Sequence, residues 1–111
     1  MVVRMTGSNI SISDALNTYT ERRLRSVMSK AFNEVDVRLT DVNGPRGGVD
    51  KECSIRVKLH NAGVVFVRAI GEDAYATVDK AASRLKLAVA RRMGRSRAIR
   101  RELHAWTRST E

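Results

Sequence analysis

Between Val35 and Ala69 the chain alternates apolar and polar residues in three separate runs, and this period of two constrains the fold more than any other feature. Val35, Val37 and Leu39 alternate with Asp36, Arg38 and Thr40. Cys53, Ile55, Val57 and Leu59 alternate with Ser54, Arg56 and Lys58, and Val65, Val67 and Ala69 repeat the pattern within Val64 to Ile70. Successive side chains of a strand point to opposite faces, so each run predicts a strand with one buried and one open face. Asn43, Gly44, Pro45, Arg46, Gly47 and Gly48 separate the first two runs as a long hairpin tip, and Asn61, Ala62 and Gly63 make a second turn before the third.

On either side the period changes. An opening strand is predicted from Met1 to Thr6, after which Gly7, Ser8 and Asn9 break the pattern. Ser13 is suited to cap a helix, with Asp14 in the first turn to complement its dipole. The inward stripe Leu16, Tyr19, Thr20, Leu24, Val27 and Ala31 carries that helix to about Phe32, with Thr18, Arg22, Arg25 and Ser29 outward and Arg23 and Lys30 on its flank. Gly71, Glu72 and Asp73 start a second helix, in which Tyr75, Val78, Ala82, Leu85, Val89 and Met93 share one face and Lys80, Arg84 and Arg91 the other. The expected fold is α+β in the order β-α-β-β-β-α, a four-stranded mixed sheet with both helices packed on one face. The strand pair joined by the first helix is parallel and the hairpins are antiparallel.

Charge is distributed unevenly. Residues 1–79 carry eleven Lys or Arg against ten Asp or Glu, and residues 80–111 carry ten against two, so the net charge of +9 belongs almost wholly to the last third. From Lys80 to Arg101 no acidic residue interrupts nine basic ones. A field of one sign on a chain otherwise near neutral points to a polyanion, either nucleic acid or an anionic membrane surface; the plainer reading is a solvated helix face. The length of 111 residues suits one domain, taken as 1–93, followed by a basic extension, 94–111. Gly94 is expected to cap the second helix, after which Ile99, Leu103 and Trp106 recur at helical spacing. They suit a short third helix, packed on the domain or self-associating, or a disordered basic tail that orders on RNA.

One Cys allows no disulfide framework, and neither a membrane span nor a signal-peptide pattern is present, so a cytoplasmic protein is expected. Cys53 lies among strand residues facing inward and reads as a small apolar core residue. His60 and His104 have no evident nucleophile or carboxylate partner, and with one Cys they make a poor zinc set. Neither an enzyme, a cofactor nor a metal site is expected. Membrane attachment through the basic C-terminal region, with Trp106 as anchor, is a competing reading; so is a general binder of structured or double-stranded RNA.

The element order, Thr6-Gly7, the segment Ile12-Ser13-Asp14-Ala15-Leu16 before the first helix, and Glu72-Asp73-Ala74-Tyr75-Ala76 before the second resemble the ribosome hibernation promoting factor and ribosome-associated translation inhibitor family over residues 1 to about 93. The stretch Asp41 to Cys53 is most similar to a less-studied branch, and the length resembles the short form. The resemblance implies a translation inhibitor that occupies the mRNA channel of the small ribosomal subunit where it overlaps the tRNA sites, holding 16S-type rRNA with basic residues of the two helices. The site residues it implies are Arg22, Arg25, Lys80, Arg84, Lys86, Arg91, Arg92 and Arg95. The family pattern of a basic residue, Leu, a variable position and Arg maps onto Arg84, Leu85, Lys86 and Leu87, so Leu87 replaces the Arg.

Arg outnumbers Lys sixteen to five, which suits irregular RNA because a guanidinium grips phosphate bidentately and stacks on unpaired bases. Binding is expected to read phosphates and shape and to depend strongly on salt. With five aromatic residues, a sheet of stacked bases is not expected; Phe66 on the open sheet face is the one candidate, and partial burial in the hairpin is its expected state. The glycine-rich tip, flanked by Arg46 and Lys51, admits an anion-binding nest. It joins two strands and lacks the spacing of a P-loop, which makes a simple hairpin tip the default.

Overall fold

The computed structural model describes residues 2–27, 32–42, 50–59 and 63–109, with side chains placed in 3–26, 34–42, 50–59 and 63–94. Its elements are β1 (Val2–Ser8), α1 (Asp14–Val27), β2 (Phe32–Asp41), β3 (Lys51–Leu59), β4 (Gly63–Gly71) and α2 (Ala74–Ser109). The strands form one sheet in the order β1-β2-β3-β4, with β1 parallel to β2 and the other two pairs antiparallel. This is the expected α+β architecture. The alternation places Val35, Val37, Leu39, Cys53, Ile55, Val57, Leu59, Val65, Val67 and Ala69 on the inner face, each 9% exposed or less.

The helices cover that face with the predicted stripes. Leu16, Thr20 and Leu24 of α1 and Val78, Ala82 and Leu85 of α2 are buried, joined by Ala81 and Thr77, which the stripe did not include. Tyr75 belongs to the expected stripe yet is 38% exposed; its ring meets Tyr19 edge-on, 5.1 Å between centroids. Two buried hydroxyls are satisfied within their own helices, Thr20 Oγ1 donating to the Leu16 carbonyl at 2.8 Å and Thr77 Oγ1 to that of Asp73 at 2.7 Å. Ser13 caps α1 by accepting from the Leu16 amide at 3.1 Å, and Asp73 caps α2 by accepting from the Ala76 amide at 3.0 Å.

Three boundaries differ from the sequence-based expectation. β1 continues through Gly7 and Ser8, because parallel pairing supplies Leu39 and Thr40 as their partners. Gly7 also lets the chain fold back on itself, since a Cβ there would lie 2.4 Å from the Ile10 carbonyl oxygen. α1 is described as far as Val27, and Phe32, the expected end of the helix, opens β2 opposite Leu59. At Phe32 strand pairing outweighs the helical period; residues 28–31 lie outside the described residues. Finally, α2 runs through Gly94 to Ser109. A helical glycine costs about 1 kcal/mol relative to alanine but does not by itself end a helix. The expected roles of Ala31, Lys30, the tip 43–49 and His60 lie outside the described residues, as do the side chains of Val27, Ile99, Leu103, His104 and Trp106.

Leu85, wholly buried, and Leu87, 59% exposed, are neighbours on one helix and separate core from surface. Leu85→Ala is expected to destabilise by about 2–5 kcal/mol in a urea titration, and Leu87→Ala by about 0.5 kcal/mol or less.

Candidate nucleic-acid interface

The seam between the helices is built from polar side chains that match turn for turn. Tyr19 Oη donates to Asp79 Oδ1 at 2.6 Å, Arg23 Nε donates to the same oxygen at 3.1 Å, and an Arg23 terminal nitrogen reaches Ser83 Oγ at 3.5 Å. A step of four from Tyr19 to Arg23 is matched by a step of four from Asp79 to Ser83, so the two helices run in the same direction. The hydrogen bond to the Asp79 carboxylate, with desolvation and the negative charge behind it, raises the Tyr19 phenol above its ordinary value near 10, and the Arg23 charge opposes the shift.

The other flank of α2 faces the edge of the sheet. β4 is an edge strand, and its outward carbonyls have no strand partner. Lys80 Nζ donates to the Ile70 carbonyl at 3.1 Å, and an Arg84 terminal nitrogen donates to the Arg68 carbonyl. The step of four along the helix advances about 6 Å, close to the two-residue step of a strand, about 6.6 Å. One further turn brings Ala88, which has no donor, to Phe66, and a cavity of about 260 Å³ opens there among Val64, Val65, Phe66, Ala88, Arg91 and Arg92. The next turn places Arg92 against Gly63, whose φ of +80° only glycine adopts without strain and where a Cβ would lie 2.6 Å from the guanidinium.

The expected site residues therefore divide. Lys80, Arg84, Lys86, Arg91 and Arg92 are exposed on α2, and Arg22 and Arg25 are exposed on α1. Lys80 and Arg84 leave α2 toward β4, away from α1, while the groove between the helices holds Asp79 with Tyr19 and Arg23. Arg95 lies on α2, its side chain outside the described residues. Leu87 is exposed among these cations, as its outward position in the periodicity implied.

The opposite face of the sheet is open, and it carries the one stacking candidate of the sequence reading. Phe66 is 59% exposed, contrary to the partial burial expected of it, with Val64 and Ile70 exposed on the same strand. Inward positions of β4 are odd-numbered, so the even-numbered Phe66 points away from the helices; the alternation held that signal.

Other candidates resolve into structural roles. Lys51 donates to the buried Asp50 carboxylate at 2.8 Å and to Asp41 at 3.4 Å, which raises its pKa and engages the ammonium expected to flank an anion nest. Burial pushes the Cys53 thiol up to about 12, so it stays protonated at neutral pH. Among the described residues no group of His, Cys, Asp and Glu is arranged to hold a metal, and no helix is long and apolar enough to cross a membrane.

A family model described as sigma 54 modulation protein / S30EA ribosomal protein matches residues 3–97. Among curated proteins none matches. A solved structure of a ribosomal subunit interface protein from Coxiella burnetii is similar with a TM-score of 0.73 at 23% identity, over 85% of this chain and 99% of that one. The N-terminal domain of Protein Y from Thermus thermophilus is similar with a TM-score of 0.67 at 28% identity, over 79% of this chain and 93% of that one.

The Tyr19–Asp79 bond needs a protonated phenol. Its contribution is fully present below the unfolded-state pKa and is lost as pH rises through the higher folded-state value. In Asp79→Ala the Tyr19 phenol is expected to titrate closer to its ordinary value, seen as an earlier rise of tyrosinate absorbance in an alkaline titration.

Proposed function

Since the chain belongs to the sigma 54 modulation protein / S30EA ribosomal protein family, that of the hibernation promoting factors, we propose that this ribosome-associated protein inhibits translation by binding RNA in the mRNA and tRNA channel of the small subunit, in the cytoplasm. The observation that carries this reading is the exposed set Lys80, Arg84, Lys86, Arg91 and Arg92 on one helix, in a stretch that holds no acidic residue. Cations fixed on a rigid helix match a phosphate backbone without reading its sequence. Lys80 and Arg84 are partly engaged by the fold and still serve. A guanidinium has five N–H donors and an ammonium three, so Arg84 and Lys80 keep donors for phosphate after bonding a carbonyl.

No chemistry is needed for inhibition of this kind; occupancy excludes mRNA and tRNA. Arg22 and Arg25 would add contacts on a second surface of the helical layer. A second reading, a binder of structured RNA away from the ribosome, is favoured by Leu87, an exposed apolar side chain where the family pattern has Arg.

Co-sedimentation with purified small subunits across a salt series separates the two. The wild type is expected to pellet stoichiometrically, to be displaced by mRNA, and to lose affinity with a log-log slope of about −0.7 to −0.9 per phosphate neutralised. Arg84→Glu with Arg91→Glu is expected to stay in the supernatant at near-physiological salt. A wild type that binds long duplex RNA but does not pellet with the subunit would leave the second reading.

A further inference from the structure

We propose that the open face of the sheet is a second RNA site, at which one unpaired base stacks on Phe66 and the phosphates on either side of it are held by Arg56 and Arg91. The proposal deepens the reading above and rests on its RNA partner.

Phe66 lies at the corner where the open sheet face meets the flank of α2. Its ring borders two separate cavities: one of about 410 Å³ on the sheet face, shared with Thr6, Asp36, Arg38, Ser54 and Arg56, and one of about 260 Å³ at the strand edge, shared with Ala88, Arg91 and Arg92. Each side of the ring therefore has a guanidinium within the same hollow. Arg56 is the register partner of Phe66 across β3 and β4, which sets its side chain beside the ring on the same face, about 5 Å away at the Cβ. Arg91 lines the strand-edge cavity with the ring, at the gap that Ala88 leaves in the row of carbonyl caps.

These two arginines are uncommitted. Lys80 and Arg84 bond β4 carbonyls and Arg68 pairs with Glu52 at 2.6 Å, whereas among the described residues neither Arg56 nor Arg91 has a hydrogen bond or an ion pair. An exposed aromatic ring between two available guanidiniums matches the chemistry of a single-stranded nucleotide, a flat base between two anions. Charge agrees: the described open face carries Arg4, Arg38, Arg56, Lys58 and Arg68 against Glu34, Asp36 and Glu52. Asp36 stands between Arg4 and Arg56 on the rung that ends at Phe66, so it repels a phosphate from the middle of the sheet and leaves the β4 side as the favoured path. A strand bound there would wrap the β4 edge, from the helix flank to the sheet face.

Fluorescence anisotropy with a short fluorescein-labelled oligouridylate tests the site. Phe66→Ala is expected to weaken binding about tenfold, the loss of one stacked base, and Arg56→Ala to flatten the salt dependence by about one phosphate. Phe66→Trp, made with Trp106→Phe so that position 66 holds the only indole, is expected to keep the affinity and to lose indole emission on binding. Phe66 is exposed, so a wild-type urea midpoint for Phe66→Ala would assign its loss of affinity to the site. Equal affinity of Phe66→Ala and the wild type overturns the proposal, as does an indole at position 66 whose emission does not change. A change confined to self-association, read by sedimentation, would give the ring to a second copy of the chain and also overturn it. Pelleting of the wild type with small subunits is scored separately. If pelleting fails while oligouridylate binding depends on Phe66, the ribosomal reading falls and this site stands; the converse removes this site alone.

Discussion

A sheet with one apolar face cannot stand alone in water, and covering that face determines where everything else on the molecule goes. Ten inward side chains from β2, β3 and β4 are buried by the two helices, with Leu85 and Val78 of α2 wholly inaccessible over them. Full burial of each Val, Leu or Ile side chain contributes about 1.5–3 kcal/mol, more than the roughly 0–1 kcal/mol that a surface ion pair supplies. Once Val78, Ala82 and Leu85 face the sheet, the rotation of α2 about its axis is settled. Its flanks are then assigned: Asp79 and Ser83 toward α1, Lys80 and Arg84 toward the β4 edge.

That rotation sets a basic surface beside an edge that would otherwise be a solubility problem. An edge strand offers its free carbonyls to any passing strand, and proteins commonly block such edges with lysines. Here the cations come from a neighbouring helix whose turn nearly matches two residues of strand, so one basic row both closes the edge and faces solvent. The same match explains the gap at Ala88. A turn without a donor leaves a hollow beside Phe66, bounded by Arg91 and Arg92. Fold protection and the proposed ligand recognition thus draw on adjacent residues of a single helix.

Much of this was legible in the sequence, because period identifies which residues share a face. The strands of the hairpins, the buried status of Cys53, the outward position of Leu87 and the basic flank all followed from steps of two, three and four. Element ends were less legible. Ala31 and Phe32 continue a helical period, but Phe32 has a strand partner in Leu59, and no local pattern reveals a partner twenty-seven residues away. Gly94 looked like a stop because glycine favours helix ends, yet that preference is worth only about 1 kcal/mol.

What the sequence by itself determined is the division of the chain into one-faced strands and helices, and a cationic last third in a nearly neutral protein. Both are properties of residues counted along the chain. Only the tertiary structure decided which cations are engaged by the fold and which are available: Lys51 is held by Asp50, Arg68 by Glu52, Arg23 by Asp79, while Arg56 and Arg91 flank an exposed ring. A charge becomes a partner or a site according to what packing sets within about 3 Å of it, and strand register and helix rotation set those distances.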